Sequence, residues 1–177
     1  LGRVEDAAVQ FDGLRESEQE LASAQLVSGR LALAKGEPGD AVRALRPLAE
    51  GEGATTDVRA LYGEALRRAG SGQAAAEVFS SVIEVDEGHP EALLGFAEVL
   101  LRGNKAGDAS DHVRTALASL ERRIRPPSVR ARALMLKGRV ALAEDDEDRA
   151  AEALREAVAI ESVSPEAYFY LCEALSG

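Results

Sequence analysis

Five small residues constrain this chain more than any other feature. Gly29, Gly63, Ala97, Gly138 and Cys172 recur at separations of 34, 34, 41 and 34 residues. Four further series keep the same step. Ala7, Ala41, Ala75, Ala109 and Ala150 form one, and Phe11, Leu45, Phe79, Val113 and Leu154 form a second, one helical turn later. Leu14, Leu48, Val82, Ala116 and Ala157 form a third, and Gly2, Gly36, Gly70, Asn104 and Asp145 a fourth. Series that share one period and one slip of seven residues mark a chain built from a repeated unit. A unit of that size has too little apolar surface to stand alone, so it must stack on its neighbours.

Two helices alternate within each period. Ser17-x-x-Glu20 reads as a capping box. Pro90 and Pro165 each open a Pro-Glu-Ala segment, where proline suits the first helical turn because its missing N–H has no partner there anyway. Gly36-Glu37-Pro38-Gly39 and Gly70-Ser71-Gly72 break the helices. No segment shows the strict alternation of a strand. The pattern predicts helices at about 3–14, 17–35, 40–50, 56–69, 73–86, 90–103, 106–125, 128–144, 146–161 and 165–175.

A 34-residue helix–turn–helix unit with a small residue in mid-helix A and alanine opening helix B resembles the tetratricopeptide repeat (TPR). The resemblance covers essentially the whole chain. It implies an all-α, right-handed solenoid: a half repeat at 1–20, repeats at about 22–55, 56–89, 90–130 and 131–164, and a half repeat at 165–177. The departures are specific. The family's bulky aromatic early in helix A is replaced by Gln25, Arg59, Leu93 and Leu134, and returns as Tyr168. The proline that usually ends helix B is Glu87 and Ser162, with Pro90 and Pro165 three residues later. The sequence opens in the turn of a repeat whose helix A is missing, and the last helix carries Tyr168, Phe169, Tyr170, Leu171 and Leu175 instead of a polar cap. Both ends therefore read as cuts in a longer array, the rival being that one end docks a partner or a second copy.

Composition narrows the function. With 46% hydrophobic residues the chain is no disordered tail, and with one cysteine it is no disulfide scaffold. No apolar stretch approaches the roughly 20 residues of a membrane span. A net charge of −10 argues against a surface that binds nucleic acid throughout. Only three basic residues are lysine, with alanine and glycine abundant, the composition of a GC-rich bacterial genome. Cytoplasm is expected over periplasm, with the compartment otherwise open.

By the resemblance, helix A lines the concave face. Its groove-facing positions here are Leu26, Leu33, Ala60, Arg67, Leu94, Leu101, Met135, Leu142 and Phe169, edged by Arg30, Glu64, Arg68, Glu98, Arg102, Arg132, Arg139 and Glu173. An apolar line edged by charge suits an amphipathic helix or apolar peptide; the alternative is that packing buries these residues. Family members that clamp an acidic C-terminal peptide present lysine and asparagine in the groove, and these positions hold neither.

The slip of seven residues, about two helical turns, is expected to lengthen the helix that begins near Ala106 until Pro126-Pro127 stops it. This elbow is basic. From residue 114 to 139 it carries Arg114, Arg122, Arg123, Arg125, Arg130, Arg132, Lys137 and Arg139 against Glu121 alone. It suits a carboxylate or phosphate partner, or it is a solvated face balanced by the Glu144 to Asp148 acidic run. No aromatics interleave with the arginines, so nucleic acid is the weakest reading.

Catalysis finds no support in the pattern. His89 falls in an inter-repeat turn, His112 on a helix B, and Cys172 in a packing slot. No cofactor or metal is expected. The chain reads as a protein-binding scaffold or adaptor that takes a peptide, a helix or a regulatory protein, in a bacterial assembly such as secretion, pilus, motility or signalling. Self-assembly through the ends, or a regulatory domain of a larger transcription or signalling protein, are the alternatives.

Overall fold

The computed structural model describes residues 22–160 and 164–176, and these are helical with no strand among them. The helices are α1 (Ala22–Lys35), α2 (Pro38–Glu50), α3 (Thr56–Arg68), α4 (Gly72–Val85), α5 (Pro90–Arg102), α6 (Ala106–Leu120), α7 (Pro127–Ala143), α8 (Glu147–Ile160) and α9 (Pro165–Ala174). The expected helix at 3–14 and the half repeat at 1–20 lie outside the described residues. The chain parts into two compact units between Val85 and Asp86. In the first, α1 to α4 pack in sequence, each on the next. In the second, α5, α7 and α9 form one layer; α6 packs on α5 and α7, and α8 on α7 and α9.

Local chemistry sets the helix starts. Thr55 Oγ1 accepts from the Val58 N–H, His89 Nδ1 from Ala92 and Ser164 Oγ from Ala167, each at 3.3 Å. These caps satisfy N–H groups that a first turn leaves orphaned. Prolines 38, 90, 127 and 165 occupy the first helical turn of α2, α5, α7 and α9.

The turn from helix A to helix B has one geometry throughout. Gly36, Gly70, Asn104 and Asp145 all have positive φ, between 56° and 84°. The following N–H reaches back to close each turn: Glu37 to Ala32 O, Ser71 to Leu66 O, Lys105 to Leu100 O and Asp146 to Ala141 O, at 2.8–3.0 Å. This is the Schellman closure, for which glycine is preferred and asparagine or aspartate tolerated. The fourth periodic series in the sequence is thus the series of left-handed residues.

The three glycines of the small-residue series face their own partner helix, whereas Cys172, expected in the same packing slot, is exposed in the last helix. A Cβ added at Gly29 would lie 2.5 Å from Leu45 Cγ, one at Gly63 2.7 Å from Phe79 Cε1, and one at Gly138 2.5 Å from Leu154 Cγ. Leu45, Phe79 and Leu154 are fully buried. The contact is therefore a lock inside each of these three helix pairs.

The seven extra residues are also placed differently from expectation. Against the preceding pair, α6 gains one residue, the connection after it two, and α7 four at its start. The helix ends at Leu120 and does not continue to Arg125. The N–H groups of Arg122 and Arg123 both turn onto Ser119 O. That turn lets Arg123 and Arg125 reach acidic residues of α5 and the connection before it.

Candidate functional site

Helix A carries the residues expected to bind a partner, and the structure divides them by exposure. In the first unit Leu33, Ala60, Glu64 and Arg67 are buried, Leu26 is half-buried, and Arg30 is exposed. In the second unit Leu94 is completely buried, and Glu98 and Met135 are buried. Met135 belongs to the cluster that holds Ala151, Leu154 and Ala167. Leu33, Leu94 and Met135 are thus interior packing, and the expected apolar line does not run unbroken over the surface. Leu101 and Leu142 are half-buried, Arg102 and Glu173 are exposed, and Phe169 is 66% exposed.

Several of the charges expected at the groove are engaged within the protein. Arg67 donates through Nε and Nη2 to the two oxygens of Glu64, at 2.9 and 2.7 Å. Arg68 Nε reaches the same carboxylate at 2.6 Å, while its Nη1 donates to Leu33 O. Arg132 Nε donates to Glu98 at 2.7 Å. Arg139 lies 3.9 Å from Glu166 and stacks its guanidinium 4.9 Å over the Tyr170 ring, a favourable cation–π geometry.

The basic elbow is neutralised in the same way. Arg123 grips Asp86 with two hydrogen bonds of 2.6 and 2.7 Å. Arg125 meets Glu91 at 3.0 Å, and Arg130 meets Glu121 at 2.7 Å. Arg122 stands exposed. The balancing acids are Asp86, Glu91, Glu98 and Glu121, while Glu144 and Asp146 are engaged by Arg149. Sequence reasoning missed Asp86, Glu91 and Glu98 because they lie 34 to 37 residues from their arginines across the seven-residue slip, where the repeat register does not pair them.

Two groups of the second unit have displaced pKa values. The hydrogen bonds from Arg123 hold the Asp86 carboxyl below the usual aspartate value. Burial pushes the His112 imidazole below the usual histidine value; its ring lies 4.9 Å from that of Phe96. Both signs agree. The unfolded chain binds these protons more readily than the folded one, so stability falls as pH falls. His112 acts from about pH 6.5 downward and Asp86 below about pH 4. Urea midpoints should decline between pH 7 and pH 5, and His112→Asn should flatten that segment. An unchanged slope in the variant would refute the assignment to His112.

The architecture defines an α-solenoid of helix–turn–helix repeats. Models of the tetratricopeptide repeat match residues 26–90, 61–119 and 94–165, and the chain belongs to that family. Arrays of this family are typically non-enzymatic modules for protein interaction, and this chain is a scaffold of that general kind. No curated protein matches it in sequence. Among solved structures it is similar to MamA, residues 41 to the end, from Desulfovibrio magneticus RS-1, with 23% identity, 88% of this chain and 84% of that chain covered, and a TM-score of 0.64. It is similar to the Cut9–Hcn1 hetero-tetramer of the APC/C, with 15% identity and a TM-score of 0.87 over 99% of this chain and 33% of that one. It also resembles the first TPR of Spaghetti (RPAP3) bound to the HSP90 peptide SRMEEVD, with 17% identity, 68% and 90% covered, and a TM-score of 0.59. These likenesses concern the fold. No helix among the described residues is long and apolar enough to cross a membrane.

Proposed function

We propose that the chain binds a peptide or helical segment of another protein along its helix A layer, chiefly through α5, α7 and α9. One observation carries this reading. The charges of that layer are largely paired internally, which leaves Leu101, Leu142 and the exposed Phe169 as apolar contact surface, with Arg102 and Glu173 beside them. Apolar anchors with a few flanking charges suit an amphipathic partner. The RPAP3 structure holds an acidic peptide, but the groove positions here lack lysine and asparagine, so a different mode of binding is favoured. The Arg-rich, Lys-poor composition supports a bacterial setting for the assembly.

The test is co-purification from a native lysate with this chain as bait, beside a Leu142→Asp/Phe169→Asp double variant of unchanged helicity. A partner captured by the wild type and lost with the variant supports the reading. Equal capture by both overturns it. Self-association is the second reading, because Tyr168, Phe169 and Leu175 are all exposed on and just after α9. Light scattering across a hundredfold concentration range would show growing mass if it holds.

A further inference from the structure

The residue just before the small position of helix A varies along the array: it is Ser28 in α1, Tyr62 in α3, Phe96 in α5, Lys137 in α7 and Leu171 in α9. Tyr62 is 6% exposed, and its hydroxyl accepts from Arg46 Nε of α2 at 3.2 Å. Phe96 packs its ring on His112 of α6. In both repeats an aromatic side chain fills space beside helix B. In α7 the position is an exposed lysine. The space beside it is open: a cavity of about 260 Å³ among α6, α7 and α8, with Val113, Leu117 and Val140 as apolar lining. Arg114, Lys137 and Arg149 stand around it. Arg114 is the register equivalent of Arg46, so the partner that Tyr62 uses in α2 is present here without the aromatic.

We propose that this cavity is a docking site for an acidic peptide segment that inserts one aromatic side chain, Phe or Tyr, in place of the missing ring. A cavity of 150 Å³ already admits benzene, so the volume suffices for one phenyl or phenol group. The rim selects carboxylates on either side of that anchor. Lys137 makes no ion pair among the described residues. Arg114 is held only by exposed Asp111 at 2.5 Å, and Arg149 by Glu144 and Asp146 at 3.6 and 3.4 Å. Exposed pairs of this kind are weak, so incoming carboxylates exchange with them. The site is separate from the contact surface formed by Leu101, Leu142 and Phe169, and does not depend on that reading.

The experiment is fluorescence anisotropy with a fluorescein-labelled peptide of one central Phe between two Asp and two Glu residues on each side, titrated with the full chain at low salt. Saturable binding is expected, weaker by about tenfold or more when the central Phe is replaced by Ala. Lys137→Tyr restores the intramolecular plug and should abolish binding without lowering the melting temperature. Lys137→Glu, a change at an exposed side chain, should weaken binding about tenfold and leave the fold intact. Phe169→Asp should leave binding unchanged. The proposal is overturned if no saturable binding occurs or if the Ala peptide binds as well, which would mark an anion patch only. It is equally overturned if both Lys137 variants bind like the wild type, or if Phe169→Asp alone removes binding, which would put the peptide on the other layer.

Discussion

Replacing Gly63 with leucine should cost roughly 1–3 kcal/mol of unfolding free energy, the usual penalty for overpacking a filled core. The geometry argues for the upper part of that range. The first added carbon alone would sit 2.7, 2.9 and 3.1 Å from three atoms of the Phe79 ring. That ring is fully buried, so it has no free volume into which to retreat, and a leucine adds three more carbons. Urea denaturation followed by circular dichroism gives the loss directly. Gly39→Ala is the control, because nothing lies within 4 Å of a Cβ there. The double variant Gly63→Leu/Phe79→Ala separates sterics from helix propensity. Phe79→Ala alone should cost about 3–5 kcal/mol, and the pair should cost less than the two single losses together. Strict additivity would mean that the close approach is not the source of the penalty.

Glu64→Ala should be at least as damaging, at about 3–5 kcal/mol, the range for cutting one member of a buried ion pair. Its side chain and that of Arg67 are only 11% and 10% exposed. Truncation removes the carboxylate that takes two hydrogen bonds from Arg67 and one from Arg68. A guanidinium held that far from water without this carboxylate is expensive. The double change Glu64→Met/Arg67→Met removes both charges and should recover most of the loss. A single-variant loss below about 1 kcal/mol would show that water screens the pair as it does a surface one.

These two sites show what the sequence discloses and what it hides. The period alone yields the helix pairs, the turn positions at Gly36, Gly70, Asn104 and Asp145, and the small positions at Gly29, Gly63 and Gly138, because each is a local requirement repeated in register. The direction of the contact was not legible: a period says that Gly63 and Phe79 recur, not that they touch each other. Nor was the fate of the charges. Glu64 and Arg67 lie three apart on one helix, a spacing equally compatible with a wet face. Their burial depends on what packs over them. The elbow's own carboxylate partners were hidden for a related reason. A count of charges between residues 114 and 139 omits Asp86, Glu91 and Glu98, which lie 34 to 37 residues upstream of their arginines and supply the neutralising carboxylates. The continuation of α6 to Arg125 failed because proline punctuation marks the latest possible end of a helix, and the Ser119 turn ended it sooner.

The lock within each pair has a consequence for how such a chain can change over generations. Gly29 and Leu45, Gly63 and Phe79, and Gly138 and Leu154 are all sixteen residues apart. Each lock therefore lies inside a single copy of the unit. A tandem duplication carries both halves together, and a deletion removes both together. Neither event leaves an unmatched knob or an empty socket, so the number of copies can drift with no compensating substitution at this contact. The size of the knob is equally free to vary from copy to copy, from leucine to phenylalanine, because only its own socket must agree with it.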